Sequence, residues 1–123
     1  MTFHRYGFSL GIAMTIATRT TGDILVVDID GRLDTQTSGP ALEELLLIVK
    51  SGRDKVLLNL AKLEYLSSAG LRVILQTAKK LQSADGHLKL CHADGLVKEV
   101  MRTSGFDSLI NVYETEQDAC GDF

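Results

Sequence analysis

The sequence predicts a single α/β domain on a mostly parallel central sheet, with an N-terminal hairpin and helices packed on it, and three observations carry that prediction. Short, continuously apolar runs such as VLLNL at 56–60 have the composition of strands buried on both faces. Those runs alternate with longer segments whose apolar residues recur every three or four positions, the period of a helix lying on a core. At 123 residues the chain has the length of one domain, which buries roughly two-thirds of the surface its unfolded form exposes. Strands joined through helices run parallel with right-handed crossovers.

Residues 1–8 read as an N-terminal extension and residues 9–123 as the domain. Arg5 followed by FSLGIAMTIA has the outline of a signal peptide. Ser9, Gly11 and Thr15 dilute that run, however, and Leu10, Ile12, Met14 and Ile16 alternate with smaller residues as on a strand. TTGD at 20–23 turns the chain into ILVVDID at 24–30, which predicts a hairpin. The polar segment GRLDTQTSGP at 31–40 then opens a helix, with Pro40 in the first turn where its missing N–H has no partner to lose.

Leu42, Leu45, Leu46 and Val49 form that helix's apolar stripe, and Gly52 is placed to end it. Leu47 and Ile48 widen the stripe, so this helix either is deeply covered or offers apolar surface to a partner, and burial against the sheet is the favoured outcome. After the strand at 56–60, Leu71, Ile74, Leu75, Ala78 and Leu81 give the next stripe, with Arg72, Gln76, Lys79 and Lys80 on its wetter side. DGH at 85–87 turns into a strand, HLKLC. Asp94 is suited to cap a helix with Leu96, Val97, Val100 and Met101 inward and Gly105 at its end. LINVY at 109–113 predicts a last strand, and Thr115 with Asp118 is a cap signal for a short terminal helix. The expected order is β-β-α-β-α-β-α-β-α.

Composition narrows the functional classes. A hydrophobic fraction of 45% and a charged fraction of 24% are those of an ordinary globular protein. With net charge −3 and no basic block there is no footprint for nucleic acid or an anionic membrane. No run approaches the roughly 18 apolar residues of a membrane span, so neither direct nucleic-acid binding nor membrane insertion is expected, and the predicted location is the cytoplasm. Cys91 and Cys120 belong to no C-x-x-C or zinc-type spacing and read as reduced, burial-prone thiols. His92 beside Cys91 is a poor chelating pair, because neighbours on a strand face opposite ways. Asp23, Asp28, Asp30 and Asp34 read as a solvated acidic face. There is no G-x-S-x-G elbow, Walker loop or G-x-G-x-x-G, and His4, His87 and His92 are scattered. The chain is therefore expected not to be an enzyme and to hold no cofactor or metal.

The segment LEYLSSAGLRVIL at 63–75 carries the functional reading. A serine of the pair Ser67 and Ser68 is a good N-cap, worth about 1 kcal/mol against alanine. Gly70 in the first turn costs the helix roughly 1 kcal/mol relative to alanine. Either close packing inside the domain or close approach by another protein explains it. A helix N-terminus also suits a phosphate on the capping serine. Phosphorylation adds about −1.5 to −2 charges, and about 2.8 kcal/mol is already a hundredfold in affinity.

NLAKLEYLSSAGLRVIL at 59–75 resembles the strand, loop and helix around the regulatory serine of the STAS domain family of bacterial anti-sigma factor antagonists, and GRLDTQT at 31–37 resembles the segment after that family's second strand. The order of elements agrees over about residues 9–119. The resemblance implies a protein switch: the unphosphorylated antagonist binds an anti-sigma factor that is also a serine kinase, and phosphorylation breaks the complex. By position the phosphoacceptor is Ser68. Ser67 stands where many members have aspartate, Ala69 where many have a second serine, and Arg72 where a small residue is frequent. The implied docking surface comprises Asp34, Thr35, Ser67, Ser68, Gly70 and Arg72. The same fold also serves as a soluble, unphosphorylated subunit of lipid-transport ABC systems or signalling assemblies, which is the alternative reading. The oligomeric state stays open.

Overall fold

The hairpin expected from TTGD forms between β1 (Met14–Thr21) and β2 (Ile24–Leu33), which pair antiparallel with Thr21 opposite Ile24. Gly22 makes the turn at φ +63, a conformation that side chains disfavour. The computed structural model describes residues 14–123. The extension at 1–8, His4 and the expected start of the first strand at 9–13 lie outside the described residues.

β3 (Lys55–Asn59) pairs parallel with the first half of β2, β5 (His87–Cys91) with β3, and β6 (Val112–Tyr113) with β5. The alternation along β2 sends Leu25, Val27 and Ile29 to one face and Ile24 and Val26 to the other, all buried. A sixth strand, β4 (Leu63–Leu66), was not expected from the sequence. It takes over from β3 beside the second half of β2, parallel to it, with the register shifting between Gly31 and Arg32. The Asn59 side chain accepts from the N–H of Ala61 at 2.9 Å and so holds the turn that carries the chain from β3 into β4. The last strand is shorter than expected. Phe106 and Ile110 turn inward around a 3-10 turn at Phe106–Ser108, which leaves only two residues to pair with β5.

Three helices cover one face of the sheet: α1 (Ser38–Lys50), α2 (Ser68–Ser83) and α3 (Gly95–Thr103). Pro40 lies in the first turn of α1, as expected. Ala41, Leu45 and Ile48 seat that helix, and Leu42, Leu46 and Val49 are half-buried beside them. Ile48 is thus covered, but seating on those three residues turns Leu47 outward, to 57% exposure. Likewise α3 packs through Val97 and Met101 and leaves Leu96 exposed. Asp94 occupies the α3 N-cap but makes no side-chain cap bond; its carbonyl accepts from Val97 and Lys98 instead.

The opposite face is closed by α4 (Glu116–Cys120), capped by Thr115, whose hydroxyl accepts from the N–H of Asp118 at 3.0 Å. Ala119 packs there with Ile24, Val26, Leu57 and Cys91. Arg19 clasps Asp28 through Nε at 2.7 Å and Glu116 at 2.6 Å, and Asn59 donates to Glu116 at 2.9 Å. Asp28 therefore holds a tertiary network, and Asp23 pairs with Lys55 at 2.7 Å. The expected solvated acidic face is in this respect an ion-paired one. Lys89, largely buried, lies over the rings of Tyr113 and Phe123 at 5.3 and 4.8 Å.

Candidate functional site

The end of β2 and the start of α2 meet beside β4. Ser67 has extended backbone angles and is the N-cap: its hydroxyl accepts from the N–H of Gly70 at 3.1 Å, and its own N–H donates to the Leu33 carbonyl at 3.0 Å. The capping role hence belongs to Ser67, so Ser68, the phosphoacceptor that the resemblance implies, is not the capping serine on which a phosphate was expected. Ser68 is the first residue of the helix, exposed, and its hydroxyl makes no hydrogen bond among the described residues. The N–H groups of Ser68 and Ala69 have no acceptor within the helix, which leaves a positive partial charge around the free hydroxyl.

Gly70 is buried, and its smallness serves packing. A Cβ there would lie 2.7 Å from the Leu33 carbonyl oxygen and 2.8 Å from Leu66 Cδ1. Of the two explanations open at the sequence level, close packing inside the domain is met at Gly70, which lies buried beneath the serine pair. Ala69 is half-buried, and Arg72 stands exposed one turn beyond Ser68.

The loop after β2 is fixed by its own short-range bonds. The Asp34 carboxylate accepts from the N–H of Gln36 at 3.0 Å and of Thr37 at 3.1 Å. These backbone donors, with Thr37 foremost, hold the carboxyl below the usual carboxylate range. The buried Thr37 hydroxyl accepts from the Asp34 N–H and donates to the Arg32 carbonyl, both at 2.9 Å. Ser38 adds a hydroxyl bond to the Asp34 carbonyl. Asp34 is thus a half-buried turn-former, and Thr35 is the exposed tip.

Leu33 joins the two segments, so Asp34, Thr35, Ser67 and Ser68 share one end of the sheet. The sequence reading missed three contributors. Thr37 was signalled by the Asp-x-x-Thr spacing of an Asx turn. Arg32 and Tyr65 carried no local signal: they become neighbours only through the β2–β4 register, with the guanidinium 4.4 Å from the ring centroid and 3.5 Å from Asp34.

Among the described residues, no histidine stands beside the serine pair to activate it from within. His92 accepts at Nε2 from the Glu116 N–H at 3.3 Å, over at α4, and His87 opens β5. Among the described residues no group of three His, Cys, Asp or Glu is placed to hold a metal ion, and no helix is long and apolar enough to cross a membrane.

The sequence model described as the STAS domain matches residues 15–119. BtrV of Bordetella bronchiseptica, provisionally named an anti-sigma factor antagonist, is 36% identical over 100 residues, covering 81% of this chain and 86% of that protein. An anti-sigma factor antagonist from Mycobacterium paratuberculosis superposes with a TM-score of 0.82 at 21% identity, over 93% of this chain and 97% of that one. The Bacillus cell fate determinant SpoIIAA in its phosphorylated form gives a TM-score of 0.65 at 19% identity, over 89% of this chain and 97% of that one. The extent of the domain match, the identity to BtrV and the shared sheet and helix order lead to one conclusion: this chain belongs to the STAS domain family.

Proposed function

We propose that this STAS domain is an anti-sigma factor antagonist, a binding protein and not an enzyme, whose docking is controlled by phosphorylation of Ser68. The observation that carries the reading is the division of labour in the serine pair: Ser67 caps the helix, and Ser68 is exposed, its hydroxyl without a partner among the described residues. The unphosphorylated chain engages an anti-sigma factor that is also a serine kinase, through Asp34 and Thr35 on one side and Ser67, Ser68 and Arg72 on the other. The Ser68 oxygen attacks the γ-phosphorus of ATP held by the partner, ADP leaves, and the hydroxyl proton passes to a base of the partner. The new dianion then sits in the docking face, where Arg72, one turn away, can pair with it within the antagonist itself.

The names of the relatives favour this reading over a transport-system subunit, and SpoIIAA is a protein of the same fold described in a phosphorylated form. The test is incubation with ATP and the anti-sigma factor from the same cells, followed by peptide mass spectrometry. Phosphate is expected on Ser68 in the wild type and in Ser67→Ala, and absent in Ser68→Ala. Ser68→Asp is expected to bind the partner about a hundredfold more weakly than wild type. Phosphate on another residue, or equal binding by Ser68→Asp and wild type, would remove the mechanism.

A further inference from the structure

Helix α2 contributes three cations, Arg72, Lys79 and Lys80, and no carboxylate, in a chain whose net charge is −3. All are exposed, and none has an ion pair among the described residues; Lys50, Arg53 and Lys62 have none either, whereas Arg19, Arg32, Lys55, Lys89, Lys98 and Arg102 are each paired. Glu43 on the neighbouring α1 is exposed and does not pair with them either. Lys80 lies in the last turn, where the helix dipole favours a cation. Arg72 lies near the opposite, positive end, where the dipole gives it no support.

Position along the helix organises these charges. Ser68, Arg72, Gln76, Lys79 and Ser83 follow one another at intervals of four, four, three and four, the spacing of a single helix face, and all are exposed. The far half of that face opens onto a hollow of about 310 Å³ between α1 and α2. Leu42 and Leu46 wall it on the α1 side, and Lys79 and Lys80 stand on the α2 side. The result is a carbon-lined groove with a basic rim, continuous with the face that presents Ser68.

Such a groove is complementary to a helix with apolar residues on one side and Asp or Glu beside them, the helix-in-groove mode with charge steering added. We infer that the docking face extends from Ser68 down α2 into the α1–α2 groove, and that the groove receives an acidic amphipathic helix of the anti-sigma partner. This rests on the antagonist reading and assigns the groove a task distinct from the serine's: Ser68 carries the switch, and the groove carries charge recognition. An anionic lipid surface suits the face less well, since Ser68, Gln76 and Ser83 bring no large apolar side chain to enter an acyl layer.

Two measurements on the full chain test this. In the first, backbone amide NMR follows titration with a synthetic amphipathic peptide of Leu, Ala and Glu, with a Lys-for-Glu peptide, and with phosphatidylglycerol–phosphatidylcholine vesicles. The acidic peptide is expected to shift Leu42, Leu46, Gln76, Lys79 and Lys80. Its binding should weaken at least about tenfold in K79E/K80E, and less in K79Q/K80Q. No shift at the groove, an equal response to the basic peptide, or K79/K80-dependent binding of vesicles without binding of the acidic peptide would overturn the inference.

In the second, the anti-sigma factor is titrated against wild type, Ser68→Asp and K79E/K80E, after thermal melts show that each variant folds. Weaker binding by both variants supports the extended face. If Ser68→Asp loses binding while K79E/K80E binds like wild type, the groove inference falls and the antagonist reading stands. If wild type itself does not bind the anti-sigma factor, the antagonist reading falls, and the inference about its partner falls with it.

Discussion

The N–H of Ser67 donates to the carbonyl oxygen of Leu33 at 3.0 Å, so the start of α2 and the end of β2 are held by one acceptor atom. The same oxygen lies 2.7 Å from where a Cβ on residue 70 would stand. The two halves of the proposed docking face are therefore positioned by a single point of the backbone, beneath the exposed side chains of Thr35 and Ser68.

Gly70→Ala is expected to destabilise the protein. In an exposed helix this substitution gains roughly 1 kcal/mol. Here the new methyl meets the Leu33 carbonyl and the Leu33 and Leu66 side chains below 3.0 Å. Overpacking of this kind costs about 1–3 kcal/mol. Urea unfolding should show a net loss, and an unchanged or higher midpoint would contradict the packing role.

The serine pair is expected to separate cleanly in stability measurements. Ser67→Ala removes the cap of α2 and should cost about 1 kcal/mol. Ser68→Ala removes a hydroxyl with no partner among the described residues and should stay within about 0.5 kcal/mol of wild type. Equal losses from both would mean that Ser68 shares the capping role.

Glu116 predicts an acid-sensitive contribution to stability. The hydrogen bond from Arg19, and after it the one from Asn59, hold its carboxyl below the usual range against the opposing effect of burial. A depressed folded value means that the stabilisation is complete above the unfolded pKa of about 4.3 and is lost as pH falls from there toward the folded value. Glu116→Gln should be less stable at pH 7 by about 1 kcal/mol, kept modest by the partial exposure of both partners. Its difference from wild type should shrink below about pH 4. A constant difference across the acid limb would refute the ionic origin.

Thiol chemistry should be slow. Burial pushes the Cys91 thiol up to about 12, and burial also raises Cys120. Cys91 is fully covered while Cys120 is half-exposed. In the native state a thiol-reactive dye at pH 8 should modify Cys120 slowly and Cys91 only after unfolding. Rapid labelling of Cys91 would show that α4 opens readily from the sheet.

Much of this architecture is legible in one dimension because it is local. The Thr115 cap, the hairpin at Gly22 and the helix-closing Gly105 each follow from residues within a few positions of one another. The α2 stripe was legible in part: Ile74 and Leu81 are buried, but Leu71, Leu75 and Ala78 are half-buried, and Val73 and Thr77 are buried with Gly70. β4 is not legible, since LEYL owes its strand conformation to the second half of β2 lying alongside it. Leu47 was expected to be covered because apolar character cannot tell which side of a widened stripe the sheet selects. At the site, a capping serine was legible, but which serine caps was not: two adjacent hydroxyls are equally able, and the extended backbone at Ser67 decides. The clasp of Arg19 on Glu116 joins residues 97 positions apart, and only the finished topology brings them together.

The separation of cap from acceptor has a consequence for timing. On the proposed reading, a phosphate on Ser68 comes and goes from a hydroxyl with no partner among the described residues, while Ser67 caps the helix. The α2 cap does not, on that reading, have to break for the phosphate to be added, so the start of the helix adds no lag to the switch. How quickly it answers is set by the enzymes that add and remove the ester, and its memory lasts as long as that bond does.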